Sequence, residues 1–293
     1  MLKKLLILIF FAYIFTACGS EIKIDTEYKS QIESWKETRI NNLTKPDSWL
    51  SLTGLFWLEM GDNSFGTDKS NDLVFPKGLP YMGTFTLNDT AVIFRQKEAG
   101  LITVDEEIRN EQILKSDLTG EPTLLKYASL TFYLIERDGK MGIRVKDSES
   151  EVLRNFDGLT YFPIDPSWRI EANFEPYDPP KKIIIPNIIG TATEEESPGK
   201  LVFTKNEEKY FLDVLPAGEN YFIIFADKTS GEETYGAGRF LYVTAADSSG
   251  KTIIDFNKAY NPPCAFTKYA TCPLPPKDNY LKLAVEAGEK KFH

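Results

Sequence analysis

The chain has 293 residues, 42% of them hydrophobic and 26% charged, which is enough apolar material for a full core. Its formal net charge of -9 would repel a phosphate backbone and excludes a nucleic-acid partner. The single histidine is His293, so Ser-His-Asp and Cys-His hydrolysis, His-ligated zinc and imidazole acid–base chemistry are excluded, and any catalysis rests on carboxylates, Tyr, Lys, Arg or an oxygen-liganded ion.

The first twenty residues, MLKKLLILIFFAYIFTACGS, set Lys3 and Lys4 ahead of an apolar stretch from Leu5 to Phe15, then Thr16 and Ala17 before Cys18. That stretch is shorter than the roughly 20 residues of a transmembrane helix. The segment resembles a bacterial lipoprotein signal, with Phe15 where leucine is usual. The resemblance implies a signal peptide over 1–17, a lipid (palmitate) on Cys18 and a tether over 18–24, and the rest, 25–293, reads from its strand pattern as one β-rich domain. The membrane, reached through that anchor, is then a partner, and the protein works in the bacterial cell envelope, facing the periplasm or the exterior.

Beyond the tether, TEYKSQIESWKETRINNLTKP spaces Tyr28, Ile32, Trp35 and Leu43 along one helical face, and Pro46 follows its end. SWLSLTGLFWLEMGDNSFGTD then runs apolar from Trp49 to Met60 into a turn-rich GDNSFG. Strand-length runs of apolar and β-branched residues follow, separated by Gly, Asp, Asn and Pro turns. They cover 73–75, 84–87, 92–95, 124–136, 141–145, 168–174, 182–185, 201–204 and 210–214, with a last group at 221–227, 234–244 and 252–256. Many short strands with little helix between them predict a mainly β protein, an antiparallel β-sandwich or β-barrel with an N-terminal helix.

Two stretches suggest ion binding and do not sustain it. In GDNSFGTDKSND the oxygen side chains of Asp62, Ser64 and Asp68 alternate loosely as in a calcium loop, but the closing glutamate is missing, and an Asx-type turn accounts for them. TATEEESPGK (191–200) reads as an exposed hairpin loop. No P-loop, GxSxG or dinucleotide-binding glycine motif is present, so neither a metal nor a cofactor is expected.

The stretch from 220 to 257 reads as a three-strand meander. Alternation puts Tyr221, Ile223, Phe225 and Asp227 on one face, Tyr235, Ala237, Arg239, Leu241 and Val243 on one face, and Ile253, Asp255 and Asn257 on one face. Arg239 thus stands in line with apolar residues, where an unpaired charge would cost several kcal/mol. Either it pairs with Asp227 or Asp255 and pins the sheet, or Asp227, Glu232, Glu233, Tyr235, Arg239, Asp255, Asn257 and Tyr260 line a ligand pocket. Gly236 and Gly238 favour a close approach there.

The segment DFNKAYNPPCAFTKYATCPLPPKDN (255–279) holds Cys264 and Cys272. With Cys18 lipidated, an even pair in an oxidising compartment predicts a disulfide, closing a loop of about nine residues and contributing something like 2 to 3 kcal/mol. Zinc would lack ligands and a cysteine nucleophile would lack its histidine. This segment, together with SWLSLTGLFWLEMGDNSFGTD, TSGEETYGAGRFLY and AGEK, resembles the domain of unknown function 1684 family over about Trp35 to Lys290. The resemblance implies one family domain with its signature residues toward the C-terminus, and no reaction.

Two functional readings follow. In the first the protein binds a small polar ligand such as a sugar or carboxylate, with Arg239 as its partner and Tyr235, Tyr260 and Phe266 as walls. In the second, two carboxylates among Asp227, Glu232, Glu233 and Asp255 share acid and base roles in a hydrolase or lyase.

Overall fold

The computed structural model describes residues 25–89 and 91–292. The expected signal peptide, the lipidation of Cys18 and the tether lie outside them. Among the described residues no helix is long and apolar enough to cross a membrane.

The chain opens with α1 (Thr26–Leu43), whose first turn is capped by Asp25: its carboxylate accepts the Glu27 N–H at 3.2 Å. The predicted face is the inner one, with Ile32 and Leu43 buried and Tyr28, Trp35 and Arg39 half-buried. The helix ends before Pro46, as proline requires.

Residues 52–147 form a first β unit. Its strands are β1 (Leu52–Trp57), β2 (Gly61–Gly66), β3 (Leu73–Val74), β4 (Gly83–Asn88), β5 (Ala91–Gln96), β6 (Thr103–Val104), β7 (Glu107–Ile108), β8 (Glu111–Ile113), β9 (Leu125–Tyr127), β10 (Leu130–Arg137) and β11 (Lys140–Asp147). They make two sheets, ordered β1-β11-β10-β9-β6-β7 and β3-β2-β4-β5-β8, antiparallel except for β2 with β3. Between them lies a core of Phe65, Phe75, Phe85, Phe94 and Phe132 with aliphatic neighbours. Phe65 and Phe85 stack with centroids 4.5 Å apart. GDNSFG, read as a turn, is strand β2: Asn63 is buried and spends its amide on the Glu59, Gly61 and Phe85 carbonyls, so a turn-forming residue is absorbed into the sheet. Asp68 does make the predicted Asx turn, accepting the Ser70 N–H at 2.9 Å.

A second β unit follows the short helix α2 (Glu151–Arg154). Its strands are β12 (Arg169–Pro186), β13 (Ala192–Lys205), β14 (Glu208–Asp213), β15 (Leu215–Ala217), β16 (Asn220–Phe225), β17 (Arg239–Thr244) and β18 (Lys251–Asp255). The sheets β14-β13-β12-β18 and β15-β16-β17 enclose a core that includes Trp168, Phe203, Phe225, Leu241, Ile254 and Phe256. Among the described residues no sheet closes on itself, so of the two predicted architectures the sandwich is the one found.

Three local readings change here. The acidic segment 191–200 is the start of β13, paired with β12, and its charge is answered across the ladder by Lys182 to Glu194 at 2.6 Å. The third strand of the expected meander, β18, pairs with β12 and not with β17. Tyr235 and Ala237 precede β17 in a turn, because Gly238 takes φ +89° there and a side chain at that position would meet the Phe225 carbonyl oxygen at 2.5 Å.

The cysteine-bearing segment lies over the outer face of β16 and β17. Ala270 and Cys272 pack there with Ile183, Ile185, Ile224 and Phe240, joined by Trp49 and Tyr260. A further cluster, Leu43, Leu50 and Phe266 with Leu153, Phe156 and Phe292 at its edge, joins α1, the inter-unit segment and this loop.

Candidate functional site

Alternation along β17 puts Arg239 on the core face with Leu241 and Val243, as predicted, and the side chain is fully buried. Asp227 answers its charge at 3.0 Å, the Nη groups also donate to the Val285 carbonyl at 2.9 Å, the Glu289 carbonyl at 3.3 Å and the Ala287 carbonyl, and Nε has no partner among the described residues. The second carboxylate oxygen of Asp227 accepts the Thr229 N–H at 2.8 Å, its hydroxyl at 2.7 Å and the Val285 N–H at 3.1 Å. Burial pulls the guanidinium's pKa down and Asp227 opposes it. This pair clamps the C-terminal segment 283–290 to the sheet.

Asp255 is not brought to Arg239. Ile254 faces the core with Leu241, so its neighbour Asp255 faces the other way, toward α1. Asp255 Oδ1 accepts the Tyr28 hydroxyl at 3.0 Å and the Asn257 N–H at 3.1 Å. Asn257 is buried; its amide donates to Tyr28 Oη at 3.0 Å and the Asp165 carbonyl at 2.9 Å, and its oxygen accepts the Asp165 N–H at 3.0 Å. Burial and then the Asp255 charge push the Tyr28 phenol above its ordinary range.

Beside this network a cleft of about 450 Å³ opens between the first turn of α1 and the start of β12, lined by Asp25, Glu27, Tyr28, Gln31, Pro166 and Arg169. The Arg169 guanidinium sits 5.8 Å from the Tyr28 ring centroid, and its side chain has no hydrogen bond or ion pair among the described residues. Donor groups on one wall and carboxylates on the other suit a polar ligand.

The remaining predicted residues scatter. Glu232 and Glu233 are exposed on the turn before β17, Glu233 facing Lys290 at 3.5 Å. Tyr235 donates to the Cys264 carbonyl at 3.0 Å. Tyr260 stacks on Tyr242 with centroids 6.4 Å apart and lies under the Arg39 guanidinium at 4.7 Å. The expected Cys264–Cys272 bond is not formed. Both are free thiols and close neighbours, since the turn through Pro263–Ala265 aims the Cys264 N–H at Cys272 Sγ, 3.0 Å away.

Sequence reasoning missed several residues that organise the region. Glu289, fully buried, accepts from Arg39 Nε at 2.9 Å and from the Asn261 N–H at 2.8 Å, tying α1 to the C-terminus. Asn279 bridges the Asp213 and Ile224 carbonyls, each at 2.9 Å. Tyr28 and Arg169 form the cleft. Their signal was weak: a tyrosine on an amphipathic face and an arginine opening a strand look ordinary.

Residues 154–290 match the family described as a protein of unknown function, DUF1684. The chain belongs to the DUF1684 family. The match begins at 154, so the resemblance noted from Trp35 is carried by the second β unit, and the SWLSLTGLFW segment lies outside it. Among solved structures, the DUF1684 chain is similar to an uncharacterized protein of Haloarcula marismortui determined in solution by NMR. That match has 31% identity, spans 48% of this chain and 80% of the other, and has a TM-score of 0.40. No curated protein matches it.

Proposed function

We propose that this DUF1684 protein is a lipid-anchored envelope protein that binds a small polar ligand in the cleft between α1 and β12. The observation that carries the reading is the Arg169 guanidinium, free of any ion pair among the described residues, set over the Tyr28 ring at 5.8 Å beside a cleft of about 450 Å³. A free guanidinium on an aromatic face pairs with carboxylates and hydroxyls in two-pronged geometry. The Tyr28–Asp255–Asn257 network holds that face rigid. The ligand class is therefore a carboxylate-bearing or polyhydroxylated small molecule. This moves the site from Arg239, which the sequence favoured, to Arg169.

Binding is preferred over carboxylate-dependent hydrolysis because the four predicted carboxylates do not converge: Asp227 is spent on Arg239, Asp255 on Tyr28, and Glu232 and Glu233 stand on an exposed turn. A thermal-shift screen of the full chain against sugars, sugar acids and dicarboxylates tests the reading. At least one compound raises the melting temperature of the parent and leaves Arg169→Ala unmoved; an equal response from that variant removes the site. For the anchor, Cys18→Ala moves the protein from the detergent phase to the aqueous phase in a cloud-point partition, and unchanged partitioning removes the lipid.

A further inference from the structure

The cysteine loop presses on the first β unit at a point the proposed function does not use. Arg144 lies between Ile143 and Val145, which face the first core, so its own side chain faces the loop, where it is 3% exposed. Its one hydrogen bond is long, 3.4 Å from Nη2 to Thr271 Oγ1, its Nε has no partner, and its guanidinium stands 5.3 Å from the Trp49 ring centroid. No carboxylate among the described residues pairs with it. A buried cation without a counter-ion costs several kcal/mol, so an anion is wanted here.

The ionisable groups at hand are two thiols. Cys272, next in sequence to Thr271, is buried, and its Sγ accepts the Cys264 N–H at 3.0 Å, while Cys264 is only half-buried. The thiols act as a pair: the hydrogen bond with Cys272 lowers the Cys264 pKa, with help from Tyr235, and the same bond followed by burial raises that of Cys272, while Arg144 draws it down. Arg144 from β11 is the charged group acting on Cys272, and Tyr235 from the turn before β17, whose hydroxyl donates to the Cys264 carbonyl at 3.0 Å, is the titratable group beside Cys264.

We propose that Cys264 and Cys272 form a thiol–disulfide exchange site whose reduced form carries one negative charge balanced by Arg144. Its substrate class is a disulfide, R–S–S–R. The Cys264 thiolate attacks one sulfur, the R–S–S–R bond breaks, and the first R–S⁻ leaves with the electron pair. Cys272 passes its proton to that leaving thiolate and attacks Cys264 Sγ, so the second R–S⁻ departs. The protein ends as a disulfide, and R–S–S–R is reduced to one thiol and one thiolate. Oxidation removes the anion and strands Arg144, so Arg144 favours the dithiol and makes the disulfide oxidising.

The full chain is equilibrated in glutathione buffers of stepped redox ratio, alkylated, and mapped by mass spectrometry on the Cys264 and Cys272 peptides, which keeps Cys18 out of the count. Interconversion is expected within the buffered range, with Arg144→Gln shifting the equilibrium toward the disulfide by about tenfold or more, and Arg144→Lys, which keeps the charge, shifting it less. Cys272→Ser accumulates glutathione on Cys264, and Cys264→Ser accumulates less on the buried Cys272. Circular dichroism confirms that each variant is folded, and the Cys272→Ser trap decides the matter should Arg144→Gln not fold. A pair that stays reduced at every ratio, a pair that stays oxidised at every ratio, or no trapped adduct on Cys264 overturns the exchange site; a shift below tenfold in folded Arg144→Gln overturns the counter-ion.

Discussion

Removing the Asp227 carboxylate tests whether Arg239 is a clamp. In Asp227→Ala the guanidinium, 0% exposed, keeps its carbonyl acceptors at Val285, Ala287 and Glu289 but loses the carboxylate it is paired with, leaving only the weaker pull of the buried Glu289 charge among the described residues. Breaking a buried pair from one side costs about 3–5 kcal/mol. The Thr229 hydroxyl and the Thr229 and Val285 N–H groups lose their acceptor as well, adding roughly 1–3 kcal/mol where no water replaces it. The terms overlap, so about 4–6 kcal/mol is expected, and a melting temperature lower by about 10–20 °C. Urea unfolding followed by circular dichroism gives the total, and hydrogen exchange over residues 283–290 gives the local part. Exchange there should rise first, because those carbonyls are what Arg239 holds. The double variant Asp227→Leu with Arg239→Met should recover much of the loss, since two apolar side chains leave no charge to desolvate. A loss under about 1 kcal/mol with unchanged exchange at 283–290 would refute the clamp.

Further predictions concern α1, pH and the C-terminal turn. Arg39→Ala leaves Glu289 as a buried carboxylate held only by the Asn261 N–H, and should cost about 3 kcal/mol while raising protease cleavage within α1. The phenols of Tyr28, Tyr161, Tyr177, Tyr235 and Tyr260 are all raised, chiefly by burial, Tyr177 to about 12. Because the folded pKa lies above the unfolded one, this stabilisation is whole below about pH 10 and is lost as pH rises through the folded values, so the melting temperature should fall steepening from about pH 10 to 12. Tyr161→Phe, which removes a buried hydroxyl with no hydrogen-bond partner among the described residues, should be near neutral at pH 7 and flatten that fall. Gly288→Ala puts a Cβ at φ +80° against the Ala259 and Phe256 carbonyl oxygens and should cost at least about 2 kcal/mol by thermal melting.

Local pattern was legible where one force dominated. The helical face of Tyr28, Ile32, Trp35 and Leu43 and the alternation that buries Arg239 with Leu241 both survive in the structure, because apolar burial outweighs any competing preference there. What failed was pairing at a distance. Nothing in 251–257 tells β18 to leave its sequence neighbour β17 for β12, and that one choice turns Asp255 from Arg239 to Tyr28. Turn-forming composition misled in GDNSFG and TATEEESPGK, where Asn63 and Glu194 find cross-strand or local partners that make strand conformation affordable. The candidate site was half legible: Asp255 and Asn257 are in it, while Tyr28 and Arg169 enter only through the packing of α1 on β12.

The strings that carry the family resemblance now have physical content, and it is mostly scaffolding. In DFN, Asp255 and Asn257 hold Tyr28 and the Asp165 backbone. In NPPCAF, the Asn261 N–H meets Glu289. In AGEK, Ala287 accepts from Arg239, Gly288 allows the turn, and Glu289 meets Arg39. These side chains spend most of their polar capacity inside the protein, Asn261 Oδ1 and Arg239 Nε being the atoms in those strings left without a partner among the described residues. Arg169 over the cleft and Arg144 under the cysteine loop, with capacity to spare, fall outside those strings. Arg169 lies within the matched segment 154–290, whereas Asp25, Glu27, Tyr28 and Gln31 across the cleft and Arg144 beside the thiol pair all lie before it, so neither place is built from the matched segment alone. It follows that the cleft needs α1 packed on the second unit, whereas the exchange chemistry needs the contact between the two β units, and separating β11 from the loop should silence the thiols without touching Arg169.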